Sequence, residues 1–244
     1  MDNIPHEILQ QGGFIGPRFT GVYYFEDVFW RVAVPVVFGT RAVSALDALR
    51  LMPPDTKQRL TAREHAVREY LLLWADCFDY DTGFQDSRAA APTDSFLGEM
   101  IESTERELTS TVADLCQQRP NAKAMHSARD TTEKALKAYL AHHANLSPID
   151  AKKRFGHWLE RLINEIAQRT PNSLLLEIAQ YLSAFAPYED RYSAKTYTRP
   201  ELWRAYRLAQ FAAAEVFRSI TGRNQRAAVR THAVFSNSSD KVIV

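Results

Sequence analysis

The chain has 244 residues, 45% of them hydrophobic and 24% charged, with a net charge of +1. That balance is ordinary for a soluble globular protein and long enough to bury a core without staples, as one large domain or two small ones. It excludes a disulfide framework, since only Cys77 and Cys116 are present, and it excludes a membrane span, since Val32 to Phe38 is the best apolar run and a span needs roughly 18 residues.

Both cysteines lie in apolar or helical surroundings and read as buried free thiols, which fits a reducing, cytoplasmic setting. The opening Met1-Asp2-Asn3-Ile4-Pro5 shows no basic region followed by an apolar run, so no signal peptide is expected. Charge is uneven along the chain. From Arg191 to Val244 there are ten Lys or Arg against three Asp or Glu, which leaves that stretch at +7 and places −6 on the first 190 residues. Such asymmetry marks either an anion-binding face or a solvated surface balanced elsewhere in the fold.

Residues 1–17, with Gly12, Gly13, Gly16 and Pro17, read as an irregular arm. Phe19 to Phe38 is rich in Val, Tyr, Phe and Trp and is interrupted at Glu26-Asp27, the pattern of a two-stranded hairpin. Pro35 cannot donate to a ladder, so the second strand is expected to be an edge or to carry a bulge there. Ala42 to Leu51 reads as a short helix stopped by Pro53-Pro54, and Thr61 to Phe78 as a stronger one. Residues 83–95 are small and polar and read as a linker or flexible loop.

Five amphipathic helices follow. The first is capped by Asp94 or Ser95 and runs to about Gln118, with Leu97, Ile101, Leu108, Val112 and Leu115 on one stripe. The second opens at Pro120-Asn121 and runs to about Asn145. The third starts at Pro148 and Asp150 and carries Phe155, Trp158, Leu159, Leu162, Ile163 and Ile166. The fourth starts at Pro171-Asn172 and ends before Pro187. The fifth has Thr198 as cap, Pro200 in its first turn, Glu201 completing the start signal and Gly222 as stop. The tail from Arg223 is basic, then rich in Ser and Asn, and reads as partly disordered. The expected organisation is an N-terminal extension over 1–93, a helical bundle over 94–222 and a tail over 223–244.

Three segments carry a resemblance. The second helix contains Ala128-Arg129-Asp130-Thr131-Thr132-Glu133-Lys134-Ala135-Leu136-Lys137. The third contains Gly156-His157-Trp158-Leu159-Glu160-Arg161-Leu162. Tyr188-Glu189-Asp190-Arg191-Tyr192 precedes the last helix. In order and spacing these resemble the HEPN family (higher eukaryotes and prokaryotes nucleotide-binding domains) over residues 96–221. The resemblance implies a mainly α fold, an antiparallel helical bundle to which the N-terminal β-hairpin is added. It also implies frequent homodimers and association with nucleotides, RNA, toxin–antitoxin pairs or prokaryotic defence. Catalytic members of the family are metal-independent ribonucleases with an Arg, four to six residues, then a His near the start of the last helix. Here no His follows Arg191 until His232. The spacing recurs only at Arg59/His65, Arg119/His126 and Arg226/His232, none of them in the family's place.

The candidate ligand-binding residues are Arg191 and Tyr192, for a phosphate contact and base stacking, with His157, Lys134, Lys137 and Arg129 beside them. Each has a plain alternative: an ion pair holding a loop for Arg191, core packing for Tyr192, a structural hydrogen bond for His157, solvation for the others. His142-His143 lack the i,i+4 geometry of a metal pair. Asp76, Asp79, Asp81 and Asp86 form an acidic patch in which Asp79-x-Asp81-x-Gly83 is only a fragment of a calcium loop. No catalytic or metal-ligating residue and no cofactor is assigned. The expected function is non-catalytic binding of a nucleotide or RNA. The alternatives are an interaction protein that dimerises through the bundle and recruits a protein partner through its hairpin, or a metal-independent ribonuclease.

Overall fold

The structure, a computed structural model, describes residues 14–37, 44–92 and 94–231. The expectations for residues 1–13, the start of the short helix at 42–43, Thr93, His232 and the last residues of the tail lie outside them. The fold is mainly helical with an N-terminal antiparallel hairpin, as the sequence pattern indicates.

Strands β1 (Phe14–Phe25) and β2 (Val28–Val37) meet at the two-residue turn Glu26-Asp27. Both turn residues have positive φ, 50° and 60°, which gives the turn the twist that a two-residue hairpin requires. The ladder register shifts between Ile15 and Phe19, where three residues of β1 face Pro35 alone: the extra residues are on the first strand, and β2 accommodates its proline as an edge strand. β1 starts at Phe14, so 14–17 belong to the strand rather than to an irregular arm. A two-stranded ribbon needs support. Here Phe19, Val22, Tyr23, Val32 and Val34 are buried, and Val22 N–H donates to Tyr206 Oη at 2.9 Å. Tyr24, Phe29 and Trp30 pack at the margin of the same core.

A 3-10 turn (Ala45–Ala48) and helix α1 (Pro54–Thr61) follow. The sequence pattern read Pro53-Pro54 as a stop, yet Pro54 occupies the first helical turn, where its missing N–H costs nothing. Helix α2 (Glu64–Ala90) then runs for 27 residues, which corrects the linker expected from Gly83. Gly83 is there for contact, not for a turn: a Cβ on it would sit 2.6 Å from Phe217 Cβ. Helix α3 (Phe96–Leu115) is capped by Ser95, which accepts from Gly98 N–H at 3.0 Å, and α4 (Lys123–Ala144) ends at Asn145 in the left-handed region.

The expected third helix is broken. A single α-turn (Pro148–Asp150) and a π-turn (Ala151–Phe155) lead to Gly156 at φ +52°, and α5 (Leu159–Arg169) starts afresh with Trp158 as N-cap. His157 therefore lies in the break and not on a helix. The fourth helix is short: α6 (Ser173–Glu177) passes into 3-10 turns at Ile178–Ala184 and Tyr188–Tyr192. Helix α7 (Arg199–Thr221) has the full capping box at Thr198/Glu201 and a left-handed Gly222. The start of the tail forms α8 (Gln225–Arg230), with Arg226 buried; its Ser- and Asn-rich remainder lies outside the described residues. Helices α2, α4 and α7 share one buried core with the hairpin. No described helix is long and apolar enough to cross a membrane.

Candidate ligand cleft

One face of α4 is unusual in burying charge. Arg129, Glu133 and Lys137 recur at i,i+4, so they stack along one side of the helix. All three are buried. Lys137 Nζ donates to Glu133 Oε1 at 2.6 Å and to the Gly156 carbonyl at 2.8 Å. The other carboxylate oxygen, Glu133 Oε2, is 2.9 Å from His157 Nδ1. Burial pushes the Glu133 carboxyl up, but the Lys137 ammonium, the His157 hydrogen bond and Lys134 outweigh it and leave the group below the usual glutamate range. A buried carboxylate with two such partners is a clamp: it holds the chain break at Gly156-His157 against α4.

The clamp sets His157 flat against Tyr188, ring centroids 4.3 Å apart with planes inclined by 12°. Two guanidinium groups approach the same phenol ring, Arg191 at 4.8 Å and Arg129 at 5.7 Å. Arg191 is ion-paired with Asp130. Arg129 differs. It is 8% exposed, its Nη1 is buried without a hydrogen-bond partner, and it makes no ion pair among the described residues.

Arg129, His157 and Tyr188 line a cleft of about 480 Å³. Its floor is apolar, with Leu159 and Phe185 buried. Its rim carries Trp158, 54% exposed, and the exposed carboxylates of Glu160 and Glu189. A second cleft, about 380 Å³, shares the segment Phe185 to Pro187 as a wall and is lined by Tyr197, Lys195 and Arg204.

The residues singled out from sequence thus divide. Arg129, His157 and Arg191 converge on Tyr188. Lys137 sits behind them with its ammonium already taken, so it is no part of an exposed anion-binding wall. Lys134 lies 3.6 Å from Glu133 and does not line the cleft. Tyr192 is 83% exposed, which rules out core packing, and it does not line this cleft. Sequence reasoning missed Tyr188 and Glu133 as site residues. The i,i+4 series 129/133/137 was a readable signal for Glu133, but the alanines beside it draw attention as the core stripe. Tyr188 carries no local signal, because the break that brings His157 onto it is a tertiary feature.

Of the Arg/His spacings, Arg59 is bound to Glu26 at 2.7 Å and Arg119 is exposed. Arg226 is buried in a separate ion network. His126 lies edge-on to Tyr197 at 6.1 Å and is held below the usual histidine range by burial and then by Arg191. Among the described residues no group of three or more His, Cys, Asp or Glu has the arrangement of a metal site. No family model matches the chain, and neither a curated protein nor a solved structure shows significant similarity to it.

Proposed function

We propose that this protein binds a nucleotide, or a nucleotide unit of single-stranded RNA, in the cleft at Tyr188, without cutting it. The observation that carries the reading is Arg129, a buried guanidinium with no counter-ion among the described residues, beside an apolar cleft of ligand size. A buried charge that lacks a partner costs several kcal/mol, and a site that keeps one is organised for an anion from outside. Phosphate is the fitting anion, since a guanidinium binds its oxygens through paired N–H donors. His157 adds a second polar contact at the same end. The apolar floor and Trp158 supply a surface for a planar base, and pockets for such ligands run from roughly 300 Å³ upward. The HEPN resemblance extends the proposal to a prokaryotic defence or toxin–antitoxin setting and to a homodimer.

The test is equilibrium binding of a nucleoside monophosphate panel and a short single-stranded RNA, comparing the wild-type protein with R129M. Loss of charge-assisted hydrogen bonds at this point weakens binding about tenfold or more, and the variant keeps its helical circular dichroism. RNA recovered from the mixture runs at full length on a denaturing gel. The reading is overturned if no member of the panel binds, or if R129M binds as well as the wild type.

A further inference from the structure

The cleft is bipolar. Its buried end presents the cation Arg129, and its rim presents two carboxylates, Glu160 and Glu189. Neither carboxylate makes a hydrogen bond or ion pair with a described residue, so neither is committed to holding the fold. Glu160 stands in the first turn of α5, where a negative charge suits the helix N-terminus. That accounts for its sign but not for its place on a cleft that a second exposed carboxylate also lines. An acidic rim disfavours a ligand that is anionic along its whole length. It favours one with an anionic end, an apolar middle and a far edge of N–H donors.

Among nucleotides, that edge decides the base. Guanine has a ring N1–H next to its exocyclic N2 amino group, two parallel donors that one carboxylate accepts together in a bidentate, charge-assisted pair. Adenine sets an acceptor nitrogen beside its amino group. Uracil flanks its single N–H with two carbonyl oxygens. Each of these turns a lone pair toward the carboxylate and loses by it. We propose that the cleft selects a guanine base, its phosphate toward Arg129 and its N1–H/N2–H edge toward Glu160 and Glu189. This rests on the nucleotide-binding reading above and adds to it the identity of the base.

The experiment measures dissociation constants for GMP, IMP, AMP and UMP on the wild type and on the double variant E160Q/E189Q. IMP is the sharpest comparison, because it differs from GMP only by the missing amino group. GMP is expected to bind about tenfold more tightly than IMP and AMP, the value of one charge-assisted hydrogen bond at a partly exposed rim. In the double variant the GMP preference falls toward unity, because GMP loses its carboxylate partner and AMP no longer faces one. Equal binding of the four nucleotides, or a preference for AMP or UMP, overturns the guanine assignment and leaves the binding reading intact. A GMP preference that survives in the double variant overturns the role given to Glu160 and Glu189. Failure of all four to bind the wild type overturns the binding reading itself.

Discussion

Two of the buried charge clusters among the described residues are built differently. Where α2, α7 and α8 meet, Arg218 donates to Asp76 at 2.9 Å, to Asp79 at 3.0 Å and to Glu215 at 2.8 Å. Arg226 pairs with Asp76 as well, and Asp79 also accepts the backbone N–H groups of Gln225 and Arg226. Each guanidinium there faces carboxylates on neighbouring helices, although Arg218 Nη2 itself has no partner. On α4, by contrast, Glu133 and Asp130 are spent on Lys137, His157 and Arg191, and among the described residues Arg129 is left without an anion beside an open cleft. The first cluster ties the C-terminal helix to the bundle. The second holds a cation in reserve. Burial of charge alone therefore says little about function; the presence or absence of the matching counter-charge separates a fastening from a site.

The largest expected effect comes from breaking the fastening. R218M takes from Asp76, Asp79 and Glu215 the one guanidinium that all three share and leaves the buried carboxylates under-compensated, at a cost of about 3–5 kcal/mol. For a chain of this length that is a fall in melting temperature of roughly 10 °C. The matching change at the cleft, R129M, removes a buried charge that has no counter-ion among the described residues. The ligand-free protein is expected to melt at the same temperature or higher, because replacing an uncompensated ion by a methionine of similar volume is neutral or favourable. Equal losses in the two variants, read by calorimetry, would erase the distinction between the clusters.

A smaller effect is expected from the clamp. In E133Q the carboxylate shared by Lys137 and His157 becomes an amide, which costs about 1–3 kcal/mol. The change also alters the pH profile. The folded-state value of Glu133 lies below the unfolded one, so its contribution is fully present above the usual glutamate value of 4.5 and is lost as pH falls from there through the folded value. Wild-type stability should thus drop on acidification below about pH 4.5 by more than that of E133Q. Parallel profiles would show that the clamp is not what holds Gly156-His157. The smallest effect is at the helix cap: T198A should cost about 1 kcal/mol through loss of the capping box on α7, with no change in nucleotide affinity.

Local signals in the chain were legible where the physics is local. The hairpin turn at Glu26-Asp27, the edge strand at Pro35, the Ser95 and Thr198 caps, the Gly222 stop and the long apolar stripes of α3, α4 and α7 follow from backbone preference and from the 3.6-residue period. Gly83 misled because a glycine in a small, polar stretch signals flexibility unless another helix is pressed against it, and Phe217 lies far away in sequence. Asp76 and Asp79 misled for a related reason: they read as an acidic patch until Arg218 and Arg226 are seen to neutralise them. In the site, Arg129, His157 and Arg191 were legible as residue types near one another in an expected bundle. That His157 leaves the helix at Gly156 to stack on Tyr188, that Lys137 is spent on Glu133 and that Tyr192 points off the cleft were not. Sequence by itself determined the hairpin, the caps and stripes of α3 and α7, the stripe of α4 and the run of charge along it, because each depends on neighbours within a turn or two. Only the tertiary structure decided which of those charges found a partner, because pairing depends on groups brought together from distant parts of the chain.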